Sequence, residues 1–367
     1  MLKIRTLLAT GVAVGLAALA ALPAPAATLF MGVYPDELLV FDEGTAAVTG
    51  KIKLDTGLPT SMLLSDDGKY IYTSTITTSG IEVIDVATRK VVNKFSLNDG
   101  ATRYRFWGGA ADPTGRYFYT LITRFDKEID RYKVSKPMYG VIDLKLKKIV
   151  RTGEVEKEDE RSSGGFRSAY KVSPDGKYLY MFGEKVLILD LATLKVIDRI
   201  DLAKPEGTGL ENVGFGGAID NVRVPGQYVS LFNAADPYIH SKMFGVARFD
   251  LNNRQFDFTP IGPAPAGMAG LQLTPDGKQA YTVVTNGTLG AKRCEFWHMD
   301  MTTNAVVDKA EFPCRSRFRF GMSLDGKKLY IYGASYDIEV YDAQTLKLEN
   351  TWDLGNDATG AGLIAVP

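Results

Sequence analysis

The sequence predicts an all-β protein, a seven-bladed β-propeller whose first blade is closed by strands from both ends of the chain. Three observations carry this: a recurring Asp turn, a recurring Asp-Gly turn, and an incomplete set of strands at each end. The first is a phrase repeated seven times, in which an apolar run, an Asp, a polar turn and another apolar run follow one another. Its aspartates are Asp42, Asp85, Asp143, Asp190, Asp250, Asp300 and Asp342, directly preceded by Phe41, Ile84, Ile142, Leu189, Phe249, Met299 and Tyr341. Their separations of 43, 58, 47, 60, 50 and 42 residues average 50. Several short strands within a period of this size mark a propeller. An Asp side chain accepts from backbone N–H groups two residues on and so fixes a turn between paired strands. The seven carboxylates are therefore expected to be structural rather than catalytic.

The second mark is Ser-Asp-Asp-Gly-Lys-Tyr at 65–70, Asp-Pro-Thr-Gly-Arg-Tyr at 112–117 and Ser-Pro-Asp-Gly-Lys-Tyr at 173–178. Thr-Pro-Asp-Gly-Lys-Gln at 274–279 and Ser-Leu-Asp-Gly-Lys-Lys at 323–328 repeat the form. Pro presets φ and Gly supplies the positive φ of a tight reversal. The strands that follow are rich in Tyr, Val and Ile, as in Tyr70-Ile71-Tyr72, which suits a pleated surface. Each unit thus reads strand a, Asp-Gly turn, strand b, variable loop, strand c, Asp turn, strand d. The fifth unit departs, with Val224-Pro225-Gly226-Gln227 in place of the turn.

The third observation is the strand count. The chain opens with strands b, c and d alone (Leu29–Tyr34, Glu37–Phe41, Val48–Leu54) and ends on a lone strand, Gly360–Val366. That tail supplies the missing inner strand of blade 1 and leaves no open sheet edge at the junction. Helical periodicity is nearly absent beyond the first residues.

Residues 1–26 read as a secretory signal peptide. Lys3 and Arg5 precede the apolar stretch Leu7–Leu22, and Ala24-Pro25-Ala26 offers a small-residue cleavage site. Residues 27–367 are then one propeller domain, expected in the periplasm and without membrane insertion. The full chain balances 43 Lys and Arg against 43 Asp and Glu. Losing Lys3 and Arg5 brings it to about −2, so no polyanion and no nucleic acid is expected as a partner. The two cysteines, Cys294 and Cys314, fall on or near neighbouring strands of blade 6. In an oxidising compartment they are expected to form a disulfide. The histidines are His240 and His298. Neither completes a ligand spacing, so no metal is expected, and His298 reads as a half-buried strand residue.

Two places can carry recognition. Three b–c loops are long: Arg124–Met138, Asn233–Met243 and Thr285–Arg293. Long loops on a rigid scaffold often bind, and these hold Phe125, Tyr132, Lys133, Asp236, Tyr238 and His240, a composition that fits a partner-facing rim. The other reading is that they are solvated, variable loops. The second place is the channel mouth. Arg167 and Arg317 stand at one offset, eight residues before Asp175 and Asp325; Arg105 lies near that level and Arg319 follows Arg317 at alternate spacing. Converging arginines could clamp a carboxylate, or could instead pair with Glu211 and the blade aspartates. No Ser-His-Asp set, HExxH or phosphate loop is present, so no autonomous catalytic set is read. A lactonase-like site would need acidic and amide residues at several strand-a starts, where Glu211 and Asn212 stand out.

The layout resembles the YVTN-type secreted propellers and, more closely, the β subunit of quinohemoprotein amine dehydrogenase. The similar segments are Phe30-Met31-Gly32-Val33-Tyr34-Pro35, then Tyr132-Lys133-Val134-Ser135-Lys136-Pro137 with Gly140-Val141-Ile142-Asp143, and the end from Leu329-Tyr330-Ile331 through Asp342 to the closing strand. The resemblance implies a scaffold that binds no cofactor itself. It would pack against a small quinone-bearing subunit and a dihaem cytochrome subunit in a complex that oxidises primary amines. Consistently, the chain has no Cys-x-x-Cys-His. The other expectation is a stand-alone periplasmic propeller that binds a small ligand or a protein at its long-loop face.

Overall fold

The computed structural model describes residues 27–106, 108–160, 169–183, 185–200, 214–215, 226–235, 242–287 and 289–367. Residues 1–26, expected from the sequence to be a leader, lie outside them. The described chain forms seven antiparallel sheets, with only two single-turn 3-10 segments, Lys157–Asp159 and Leu289–Ala291, besides strands. Six blades run in chain order from the inner strand a to the outer strand d. Blade 1 is completed across the termini. The strand Thr28–Val33 pairs with Glu37–Asp42 on one side and with Ala358–Val366 on the other, in register Thr28↔Val366 and Met31↔Leu363.

Seven hydrophobic clusters hold the ring together, and each spans two neighbouring blades. The reason is in the strands. Strands b and c are apolar on both faces, as in Thr28–Val33 and Gly80–Asp85, where nearly every residue is buried. A sheet buried on both sides needs a neighbour on both sides, and only a closed ring gives every blade two. Tyrosines stitch the seams: Tyr180 Oη donates to the Leu251 carbonyl of blade 5 at 2.8 Å, and Tyr330 Oη to Glu43 of blade 1 at 2.6 Å.

The Asp turns are built as expected, with a different reach in four of them. In Asp143, Asp250 and Asp300 the carboxylate accepts from N–H groups two and three residues on. In Asp42, Asp85, Asp190 and Asp342 the carboxylate accepts from the N–H three residues on, that of Thr45, Thr88, Thr193 and Thr345. In all seven turns the residue four after the Asp (Ala46, Arg89, Lys147, Leu194, Arg254, Asn304 and Leu346) is left-handed, with φ between 51° and 58°. That residue turns the chain into strand d. The hydrogen bonds favour the ionised carboxyl, so all seven aspartates are held below the ordinary carboxylate value. In the Asp-Gly turns, Ser65, Ser173 and Ser323 Oγ each donate to the turn Asp and accept from the returning strand. Gly68, Gly115, Gly176, Gly277 and Gly326 take φ of 67–75° there.

Candidate functional site

The d–a and b–c connections share one face, and blade 3 builds an arm on it. Its strand b runs eleven residues, Tyr117–Lys127, and overshoots strand c, whose pairing ends at Ile122↔Met138. The overshoot takes a partner on each side: Thr102–Arg105 in register Thr123↔Arg105, and Tyr132–Val134 in register Phe125↔Val134. The long loop expected from Arg124 to Met138 is thus largely a hairpin. Asn233–Ala235 likewise extend the blade 5 hairpin, paired with Lys242–Phe244, and Thr285 and Asn286 extend that of blade 6. Extra ladder bonds satisfy backbone groups that an irregular loop would leave to water.

On the arm Phe125 is half-buried, while Tyr132, Lys133 and Val134 are exposed and Ile129 stands fully in solvent at the tip. Arg124 pairs with Asp126 at 2.9 Å and Arg131 with Glu128 at 2.7 Å. Arg103, Lys127, Lys133 and Lys136 make no ion pair among the described residues, so the arm carries uncompensated positive charge. Two more aromatics share the face, Tyr34 in the blade 1 b–c turn and Tyr336 in that of blade 7. The three exposed tyrosines of the described chain therefore all sit on b–c segments. Among the described residues, the turns of the opposite face expose one large apolar side chain, Leu146.

Beside Tyr336 lies an ion cluster that the sequence reading missed. Arg315 bonds Asp337 at 2.9 Å and Glu339 at 3.0 Å, Tyr341 Oη donates to Glu339 at 2.8 Å, and the Arg315 carbonyl accepts from Lys292 Nζ at 3.0 Å. Burial works against the Arg315 charge, and the two carboxylates more than offset it, so its affinity for the proton is raised. The signal in the sequence was Glu339, an acidic residue in the interior of strand c, Asp337–Asp342. Arg315 is anchored by its neighbour Cys314, which forms the expected disulfide with Cys294. Cys294 is directly opposite Phe312, and Cys314 lies two residues beyond the strand Ala305–Phe312.

The channel, walled mainly by the inner strands and the Asp-Gly turns, belongs to a cavity of about 830 Å³ that also reaches between blades to Val92, Asn93 and Leu144. Of the four arginines expected at its mouth, Arg319 opens the inner strand of blade 7 and lines the channel. Arg317 is exposed in the loop before it. Arg105 belongs to the arm instead of the channel wall, because residues 102–105 pair outward with the strand b overshoot. Arg167 lies outside the described residues, as do Asp236, Tyr238, His240, Glu211 and Asn212. Tyr72 also lines the channel; burial, then Asp112 and Asp67, push its hydroxyl up to about 12, so it stays a neutral donor. His298 is half-buried on its strand. Its ring stacks on Tyr281 at 4.6 Å and its Nε2 meets Gln279 Oε1 at 2.6 Å. The carboxylates of Glu156, Glu158 and Asp159 converge, but Arg199 fills the space between them, with Asp159 fully buried beneath it.

No protein-family model and no curated protein matches the chain. Solved structures do. A protein of unknown function from Desulfotomaculum acetoxidans superposes with a TM-score of 0.55 at 11% identity, over 93% of this chain and 98% of that one. Dihydro-haem d1 dehydrogenase NirN gives 0.51 at 14% identity, over 94% and 78%. The β-propeller domain of Cps50 (Swd1) from Myceliophteria thermophila gives 0.52 at 13% identity, over 83% and 90%. These define the class of protein, a seven-bladed β-propeller. At such identities they share the fold and nothing finer.

Proposed function

We propose that this chain is a recognition scaffold that docks a protein partner on its d–a and b–c face. The observation that carries the reading is the segregation of the exposed tyrosines Tyr34, Tyr132 and Tyr336, with Ile129 and Val134, onto b–c segments of that one face. Tyrosine and arginine, both present on this face, are among the side chains that interfaces favour. The finer reading, resting on the resemblance of the segments at 30–35 and 132–143, is a periplasmic subunit of a complex like quinohemoprotein amine dehydrogenase. In it the quinone and haem belong to the partner subunits, and this chain supplies shape and positive charge around them.

The test is purification of the native protein from the periplasm of its host. Co-elution with a haem-bearing partner is expected, and loss of that co-elution on Tyr132→Ala with Tyr336→Ala. A lone monomer, with no partner in the same extract, overturns the docking reading. A partner without haem or quinone keeps the scaffold and removes the amine dehydrogenase assignment.

A further inference from the structure

At one level of the channel, here called the neck, the described inner strands present one long side chain. Counting six residues back from Asp67, Thr114, Asp175 and Asp325 gives Ser61, Gly108, Ala169 and Arg319, and all four line the channel. Their neighbourhood is tight: a Cβ on Gly108 would stand 3.5 Å from Ser61 Oγ. Blade 1 supplies Gly360 to the same neck, and a Cβ there would stand 3.3 Å from Arg319 Nη2. Three of these blades thus offer Gly or Ala, one Ser, and blade 7 a guanidinium in the space the small residues leave open.

That guanidinium is held but not satisfied. Arg319 is half-buried, its strand pairs it with the fully packed Tyr332, and its side chain lies against Gly360 and Gly333. Among the described residues its side chain makes no hydrogen bond and no ion pair. The carboxylates that share the channel wall, Asp66, Asp67 and Asp112, stand in the Asp-Gly turns at the opposite end. Asp67 and Asp112 are already bonded within those turns. A planar fork with five donors, partly out of water and with no anion beside it among the described residues, matches a carboxylate in two-pronged contact.

The closing strand is shaped around the same spot. Between the pairs Met31↔Leu363 and Val33↔Ala358 it carries four residues, Thr359-Gly360-Ala361-Gly362, against the single Gly32. The bulge is pinned by Thr359 Oγ1 donating to the Gly32 carbonyl at 3.0 Å, and Gly362 takes φ +111°. A bulge in an inner strand brings backbone toward the channel axis and re-aims side chains there. Here it places Gly360, which has no side chain, beside the Arg319 fork.

We propose that the channel neck is a carboxylate-binding site with Arg319 as its anchor. A cavity of about 830 Å³ has room for a small organic acid within the range of ordinary ligand pockets. The carboxylate can arrive on such an acid or on an acidic side chain of a docked partner. The proposal does not depend on partner docking.

Calorimetric titration of the purified full chain at low salt tests it, with succinate in one arm and a capped Glu-containing hexapeptide in the other. Saturable binding of one probe is expected, weakened by chloride, and its identity tells the source of the carboxylate. Arg319→Gln should weaken that binding about tenfold or more, the scale of a lost charge-assisted contact. Arg319→Lys, which keeps the charge but not the fork, should weaken it less and serves alone if the Gln variant does not fold. No binding of either probe up to about 10 mM, or binding of equal strength in both variants and the native chain, overturns the proposal.

Discussion

The Tyr330 hydroxyl donates to the Glu43 carboxylate at 2.6 Å across a sequence gap of 287 residues. Glu43 also receives the Lys328 ammonium at 3.4 Å and the Ala27 N–H at 3.3 Å. This places a charge-assisted bond on the seam where the last blade meets the first. Tyr330→Phe removes the donor and leaves the ring in place. We expect a loss of about 1.5–3 kcal/mol in denaturant unfolding, the scale of a hydrogen bond to a charged group. An unchanged midpoint would show that Lys328 and the Ala27 N–H satisfy Glu43 without the hydroxyl.

The closing strand predicts a larger effect. Removing residues 358–367 takes away the ladder to Thr28–Val33 and the packing of Ile364, Ala365 and Val366. It leaves a buried apolar strand with an open edge. The truncated chain should melt far below the full one and expose dye-binding apolar surface. A melting temperature equal to that of the full chain would refute the closure.

Reduction of Cys294–Cys314 should act mildly. The bridge closes a 20-residue separation, worth on the order of 3 kcal/mol in the chain-entropy account, and the other blades hold without one. Thermal scans with and without reductant should show a folded protein with a modestly lower melting temperature. Two free thiols in periplasmic material would overturn the pairing.

Acid should loosen the turns together. The seven turn aspartates have folded pKa values below the ordinary 3.8, so the unfolded chain binds their protons first as pH falls. Their stabilisation is complete above that value and is lost as pH drops through the folded values. His298 adds a step of the same sign at higher pH. Burial lowers its pKa from 6.5, with Asp308 and Asp300 opposing, so stability falls as pH drops below 6.5. Melting temperatures followed from pH 8 to about 3 should show both, and His298→Phe should lack only the upper one.

The fold was legible because its signals are local. An Asp whose bonds close within three residues, or a Gly at positive φ, writes each turn into a few adjacent letters, and seven copies make a period. The closing strand was legible from bookkeeping of strands, although it begins at Ala358 and not at Gly360. The site was less so. Nothing local in Thr102–Arg105 says that it pairs with a strand twenty residues on, and that pairing moved Arg105 from the channel to the arm. Arg315 meets Asp337 and Glu339 only because blade 7 brings its b–c turn beside the preceding loop. Arg319 was found by its spacing, but its isolation depends on small residues contributed by three other blades.

The outermost strands have a consequence for how the molecule behaves in a crowd. A ring closes its inner edges, yet each blade still presents the bare edge of its strand d to solvent, and bare edges invite sheets of other molecules to join them. Six of these strands carry two or more charged residues, such as Lys51 with Lys53, Asp198 with Arg199, and Asp308 with Lys309. The blade 5 strand, Gln255–Pro263, has Asp257 alone, and it carries Pro260 and Pro263 instead. Proline has no N–H to offer an incoming strand. The rim is thus guarded against edge-to-edge growth by charge in six blades and by missing donors in the seventh.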